Sequence, residues 1–123
     1  MGLFEESVNK KRHALKPNKR RRVLLRARGI CEIVECFNQI SENCEIHHIK
    51  QVQFGGTDDL ENLAAICKYC HLKISQAQDY IDKHQKLLFE IPFSEEQRKN
   101  HIKKEIKIKQ DFLDTLKFKN RKN

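Results

Sequence analysis

The sequence predicts an α+β fold, a small ββα core with basic helices on either side, and three observations carry that prediction. Two short apolar segments, "EIHHIK" (45–50) and "NLAAI" (62–66), read as strands joined by the polar "QVQFGGTDDLE" (51–61), whose Gly55-Gly56 marks a turn. Long flanking stretches carry apolar residues at helical spacing among many charges. Two short-spaced cysteine pairs, Cys31/Cys36 and Cys67/Cys70, bracket the strand pair. Two such pairs brought together from different segments can close a tetrahedral four-thiolate zinc site, so the core is predicted to be zinc-stapled.

The elements follow in order. "KRRRVLLRAR" after Pro17-Asn18 predicts a helix with Asn18 as N-cap, Val23, Leu24 and Ala27 as its apolar stripe, and Gly29 just past its end. Residues 31–44 read as a short irregular stretch holding three cysteines. After the strands, a long helix is expected from about Lys68 to Leu88. Pro92 interrupts, and Ser94-Glu95-Glu96-Gln97 has the form of a capping box for a last helix with Ile102, Ile106, Leu113 and Leu116 on one stripe. The terminal "KFKNRKN" is expected to fray. This divides the chain into a basic N-terminal arm and helix (1–28), a core (29–90), and a basic C-terminal helix and tail (91–123).

At 123 residues, with 38% hydrophobic residues and no tryptophan, the chain is expected to form one domain with a modest core, which invites a staple. Five cysteines without a secretory-type leader argue for reduced thiols in a soluble, cytosolic protein rather than for a disulfide framework. An "MG" start resembles a myristoylation signal, but Ser7 stands one place beyond the hydroxyl position of that pattern. Cys67-x-x-Cys70-His71 also has the form of a haem attachment site, which would leave the Cys31/Cys36 pair unexplained.

The net charge of +8 is unevenly placed. Residues 1–28 sum to +8, residues 29–97 to −7 and residues 98–123 to +7. Two basic arms around an acidic centre suit a polyanion gripped by the arms while carboxylates and a metal sit between them; the plain alternative is lysine-rich helices keeping their outer faces solvated. The run Lys19-Arg20-Arg21-Arg22 points towards nucleic acid.

The span "CEIHHIKQVQFGGTDDLENLAAICKYCH" resembles the HNH endonuclease motif: a His-His pair on the first strand, a Gly-Gly loop, an asparagine opening the second strand, and a histidine after Cys-x-x-Cys. The resemblance covers roughly residues 23–75 and implies a ββα-metal nuclease core. By position, His48 would be the catalytic histidine, Asn62 the motif's asparagine and His71 its last histidine, while His47 holds the place of a metal-binding histidine or aspartate. Members with the richest histidine site carry another four residues after the last, and Ser75 stands there. The catalytic cation, Mg2+, Mn2+ or Ni2+, would then have His47, His71 and, as a third candidate, Asn62. Cys31, Cys36, Cys67 and Cys70 would hold structural Zn2+, with Cys44 a small buried thiol in the strand rather than a substitute ligand.

These residue types suit phosphodiester hydrolysis. A neutral imidazole at His48 can take a proton from attacking water, a cation can meet the charge building on phosphate, and Asn62 can orient His48 or ligate the metal. His71, at the start of a helix, would lie beside free N–H groups that favour phosphate. Adjacent histidines in a regular strand point to opposite faces, so joint use of His47 and His48 requires a strand end or irregularity. His13, His84 and His101 read as ordinary polar positions, and Tyr69 as a residue that either packs or touches nucleic acid. The expected function is hydrolysis of DNA, double-stranded, by a metal-dependent endonuclease. The alternatives are a noncatalytic zinc-dependent nucleic-acid-binding module and a redox or haem protein. With no separate recognition domain in view, specificity is expected from the arms, a homodimer or a partner protein.

Overall fold

Helix α1, Pro17–Ala27, opens the described chain; the computed structural model describes residues 14–121. The expectations for Ser7, His13 and Lys122 lie outside the described residues. Pro17 occupies the first turn, where its missing N–H has no intrahelical partner to lose. Lys16 rather than Asn18 stands at the N-cap, and no side chain caps the end. Arg28 stops the helix by turning left-handed at φ 55°, its N–H donating to Leu24 O, and Gly29 continues that turn at φ 79°.

The cysteine-bearing stretch that follows is a knuckle rather than a loose loop. Cys31 N–H donates to Asn38 O at 2.9 Å, and Cys36 N–H donates to Ile33 O at 3.0 Å. Glu35 lies left-handed at φ 69° inside that tight turn, which is how four intervening residues still bring Cys31 and Cys36 together.

Strands β1 (Glu45–His48) and β2 (Leu63–Ile66) form a two-stranded antiparallel sheet with Glu45 opposite Ile66, Ile46 opposite Ala65, His47 opposite Ala64 and His48 opposite Leu63. Every residue of β2 is buried. Its alternate positions separate two packed clusters. Leu63 and Ala65 pack with Val23 and Ala27 of α1, while Ala64 and Ile66 pack with Cys31, Ile33, Cys67 and Ile74. A strand covered on both faces reads as an unbroken apolar run, and "LAAI" is one.

Helix α2 (Lys68–Glu90) and helix α3 (Glu96–Asp114) form an antiparallel hairpin, with Lys73 near the end of α3 at Phe112 and Lys109 over the Tyr80 ring. Ile74, Ala77 and Ile81 of α2, Ile91 just past its end, and Ile102 of α3 are its buried residues. The expected capping box is not formed: Phe93–Glu95 is a 3-10 turn and no side chain caps α3. Leu116 lies beyond the helix end yet still packs on the core. Among the described residues, no helix is long and apolar enough to cross a membrane. Mixed helix and small sheet, with a cysteine cluster, give the α+β core expected from the sequence.

For residues 117–121 the expectation that the tail frays is overturned. Val34 N–H donates to Lys117 O at 2.9 Å and Lys119 N–H to Glu32 O at 2.7 Å, on either side of a bridge between Ile33 and Phe118. Lys119 Nζ reaches Cys31 O at 2.9 Å and also Cys36 O. A lysine-rich tail looks solvated in sequence, but here it supplies donors to carbonyls that the knuckle leaves open.

Glu32, 1% exposed, ties these parts together. Its carboxylate accepts from Arg26 Nε at 2.7 Å and an Arg26 terminal nitrogen at 2.8 Å, from Ala65 N–H at 2.9 Å and from Asn120 Nδ2 at 3.0 Å. Arg26 also donates to Leu60 O and Leu63 O. Burial works against the charged carboxyl, but the bonds from Arg26, Ala65 and Asn120 outweigh it and hold Glu32 below the ordinary carboxylate range. Glu32→Ala should lower stability by about 3–5 kcal/mol near neutral pH, because Arg26 is left without its buried partner. With the folded carboxyl depressed, its stabilisation is present above the unfolded value and lost as pH falls through the folded one. The gap between parent and variant in denaturant unfolding should therefore narrow in acid; a gap unchanged with pH would show that the ionised pair is not its source.

Candidate functional site

The junction of β2 and α2 positions the cysteine cluster. Cys67 ends the strand and is the N-cap of α2, its Sγ accepting from Cys70 N–H at 3.4 Å. The Sγ atoms of Cys31, Cys36, Cys67 and Cys70 lie within 4.8 Å of one another. Cys36 Sγ is 3.8 Å from Cys67 Sγ and 3.7 Å from Cys70 Sγ. Zinc–sulfur bonds of about 2.3 Å give a tetrahedron whose S···S edge is about 3.8 Å, which the two Cys36 contacts match, so the four thiols are positioned to hold one metal ion. Asn38 Nδ2 donates to Cys67 Sγ, and Cys67 N–H to Cys31 Sγ, both at 3.3 Å. Such donors favour thiolates. Burial opposes the Cys67 thiolate, yet the bonds from Asn38 and Cys70 bring it down to about 7, whereas burial leaves Cys31 and Cys70 raised. Cys44 stands apart, just before β1, packed beside α1 with its thiol pushed up by burial.

One turn further along the same junction, His71 N–H donates to Cys67 O at 2.9 Å, so the cluster fixes where His71 stands. His71 joins His47 and His48 around an open cavity of about 340 Å3, also lined by Glu45, Ser75, Gln78 and Asp79. His48 is the last residue of β1, directly before a bend. Burial first, then the proximity of His48 and His71, push His47 down to about 4, leaving its ring neutral with a lone pair to offer a cation. Ser75 Oγ lies 3.5 Å from His71 Nε2. Among the described residues, no second set of three or more His, Cys, Asp or Glu side chains converges as the four cysteines do. His47, His48 and His71 thus share one open cavity, and of these His47 is the neutral imidazole that could offer a lone pair to a cation.

The hydrogen bonds of the Asn62 side chain run to the neighbouring loop. Its Oδ1 accepts from Lys50 N–H at 2.7 Å, and its Nδ2 donates to Lys50 O at 3.0 Å and Thr57 O at 2.7 Å. Its backbone carbonyl accepts from Ile49 N–H at 2.8 Å. Asn62 therefore continues the strand ladder with a side chain and closes the 50–57 loop, which is why β1 stops at His48 short of the expected Lys50. Among the described residues, Asp58 stands beside His48, with Oδ1 2.8 Å from Nε2. Spacing alone did not single out Asp58, because the link runs through a folded loop.

The basic run divides. Arg20 donates to Glu42 O and, at 2.8 Å, to Cys44 O, bracing the approach to β1. Arg21 and Arg22 are exposed and Lys19 half-exposed. The free N–H groups expected at the start of α2 are fewer than thought, since that of Cys70 serves Cys67 Sγ. His84 stacks on Tyr80, His101 is exposed, and Tyr69 is exposed with Lys73 Nζ 5.3 Å from its ring.

With this geometry in view, residues 31–77 match the family model described as HNH endonuclease. The match leaves α1 and α3 outside it. No curated protein and no solved structure matches the chain.

The Gly-Gly loop admits a sharp test. A Cβ on Gly56 would stand 1.8 Å from Lys50 O, the atom that Asn62 Nδ2 holds. Gly56→Ala should open the loop and lower stability by about 1–3 kcal/mol, with faster hydrogen exchange at the Lys50 amide. Parental exchange there would show that the Asn62 closure tolerates a side chain.

Proposed function

We propose that the chain is a metal-dependent endonuclease that hydrolyses phosphodiester bonds in DNA, with His48 as general base and a divalent cation on His47 and His71. The observation that carries this reading is the meeting of those three histidines on one cavity inside an HNH endonuclease segment. In the tautomer this reading requires, His48 Nε2–H donates to Asp58 Oδ1, which orients the ring for proton transfer. As water attacks, His48 takes its proton and Asp58 stabilises the imidazolium that forms. Bound at His47 and His71, a divalent cation would draw charge from the phosphate and ease departure of the leaving oxygen. Lys19, Arg21 and Arg22 contact backbone phosphates, whereas Arg20 braces the fold.

The four cysteines hold zinc in this reading. Purified protein should contain one zinc per chain; Cys67→Ser or Cys70→Ser should lose it and unfold the core, and Cys44→Ser should be mild. Zinc-free protein that folds normally in chelator would overturn that assignment.

Plasmid DNA incubated with the protein and Mg2+, Mn2+ or Ni2+ should be nicked or linearised. His48→Ala should lose about 100-fold or more of the rate while zinc content and DNA binding persist. His71→Ala should recover activity in part at high metal concentration. Cleavage by His48→Ala at the parental rate would remove the base assignment. A parent that cuts neither DNA nor RNA with any of these metals would establish a zinc-dependent nucleic-acid-binding module instead.

A further inference from the structure

Phe118 lies far outside the nuclease segment in sequence, yet its ring stacks on His47 with centroids 5.8 Å apart and planes 21° from parallel. That is an offset stack within the usual range for aromatic pairs. The backbone on either side is fixed to the knuckle: Lys117 O accepts from Val34 N–H, and Lys119 N–H donates to Glu32 O. Lys119 Nζ and Asn120 Nδ2 add bonds to Cys31 O and Glu32. The Phe118 side chain therefore has little freedom to move away from His47.

His47 needs such a neighbour. Its cross-strand partner is Ala64, a methyl group that cannot hold an imidazole in one rotamer. His47 also borders two spaces, the cavity it shares with His48 and His71 and a second of about 510 Å3 between α2, α3 and the 49–54 segment. Phe118 lines the second and not the first, so it closes the side on which His47 could turn away from His71.

We infer that Phe118 is a positioning residue for His47: the C-terminal strap, anchored on the cysteine knuckle, holds that imidazole towards the cavity for a divalent cation. This rests on the reading of His47 as a cation ligand. The strap thereby links the structural cluster to the cation site through the chain's last described residues.

The test is calorimetric titration of the zinc-loaded full chain with Ni2+, without nucleic acid. Phe118→Ala should weaken binding about tenfold, the lower end for losing a group that orients a ligand. Phe118→Tyr should restore parental affinity because the ring plane is kept. Phe118→Leu, which keeps the apolar burial, should stay weak with unchanged zinc content and thermal midpoint. His47→Ala separates the two layers of the claim. If it binds Ni2+ as the parent does, the ligand reading fails; if it loses binding while folded Phe118→Leu binds like the parent, the positioning role fails. Should Phe118→Ala not fold, the Leu and Tyr variants decide alone.

Discussion

Everything in this small protein is arranged around the need to bring four thiols from two segments within 4.8 Å of one another. Cys31 and Cys36 arrive through a turn that α1 and its left-handed stop deliver; Cys67 and Cys70 arrive where β2 becomes α2. The same junction sets the first turn of α2 and with it the position of His71. Glu32, one residue after Cys31, fastens α1, β2 and the tail to the cluster through one buried carboxylate. A chain with so modest a core gains its order from these polar ties, and disruption at any of them should spread to the others.

The charge pattern acquires a different meaning in three dimensions. Arg20, Arg26, Lys119 and Arg121 all donate to backbone carbonyls within the fold, so part of the cationic surplus is structural. Burial and the neighbouring guanidinium of Arg26 push the Arg121 guanidinium down. The side chains left for a polyanion are fewer than the composition suggests, and they concentrate on the outer faces of α1 and α3. The histidine-bearing cavity itself carries acidic residues, Glu45 and Asp79, beside its three imidazoles.

Much of this was legible in the chain. The apolar run of β2, the Gly-Gly turn, the two cysteine pairs and the start of α2 at Lys68 are local patterns with local causes, and the fold follows them. Three features were hidden because their partners are remote. Asn62 looked like a group for His48, but a side chain with both a donor and an acceptor could satisfy Lys50 instead, and only the loop path decides. Asp58 took the place beside His48 through that same loop. The tail carried four cations and one aromatic, a pattern that reads as solvated until Glu32 and the knuckle carbonyls appear across from it. Asn18 was a reasonable cap by type, yet Pro17 had already fixed the first turn one residue earlier.

The central claim is that two metal sites of different chemistry, one of four thiolates and one of two imidazoles, are set by a single strand-to-helix junction. Crystals of the zinc-loaded full chain soaked in Mn2+, with anomalous diffraction recorded above and below the zinc edge, address it directly. The account predicts zinc among Cys31, Cys36, Cys67 and Cys70, manganese bonded to His47 and His71, and Asn62 still closed on Lys50 and Thr57. Manganese bound away from both histidines, or zinc on the histidines with the cysteines unligated, would contradict it.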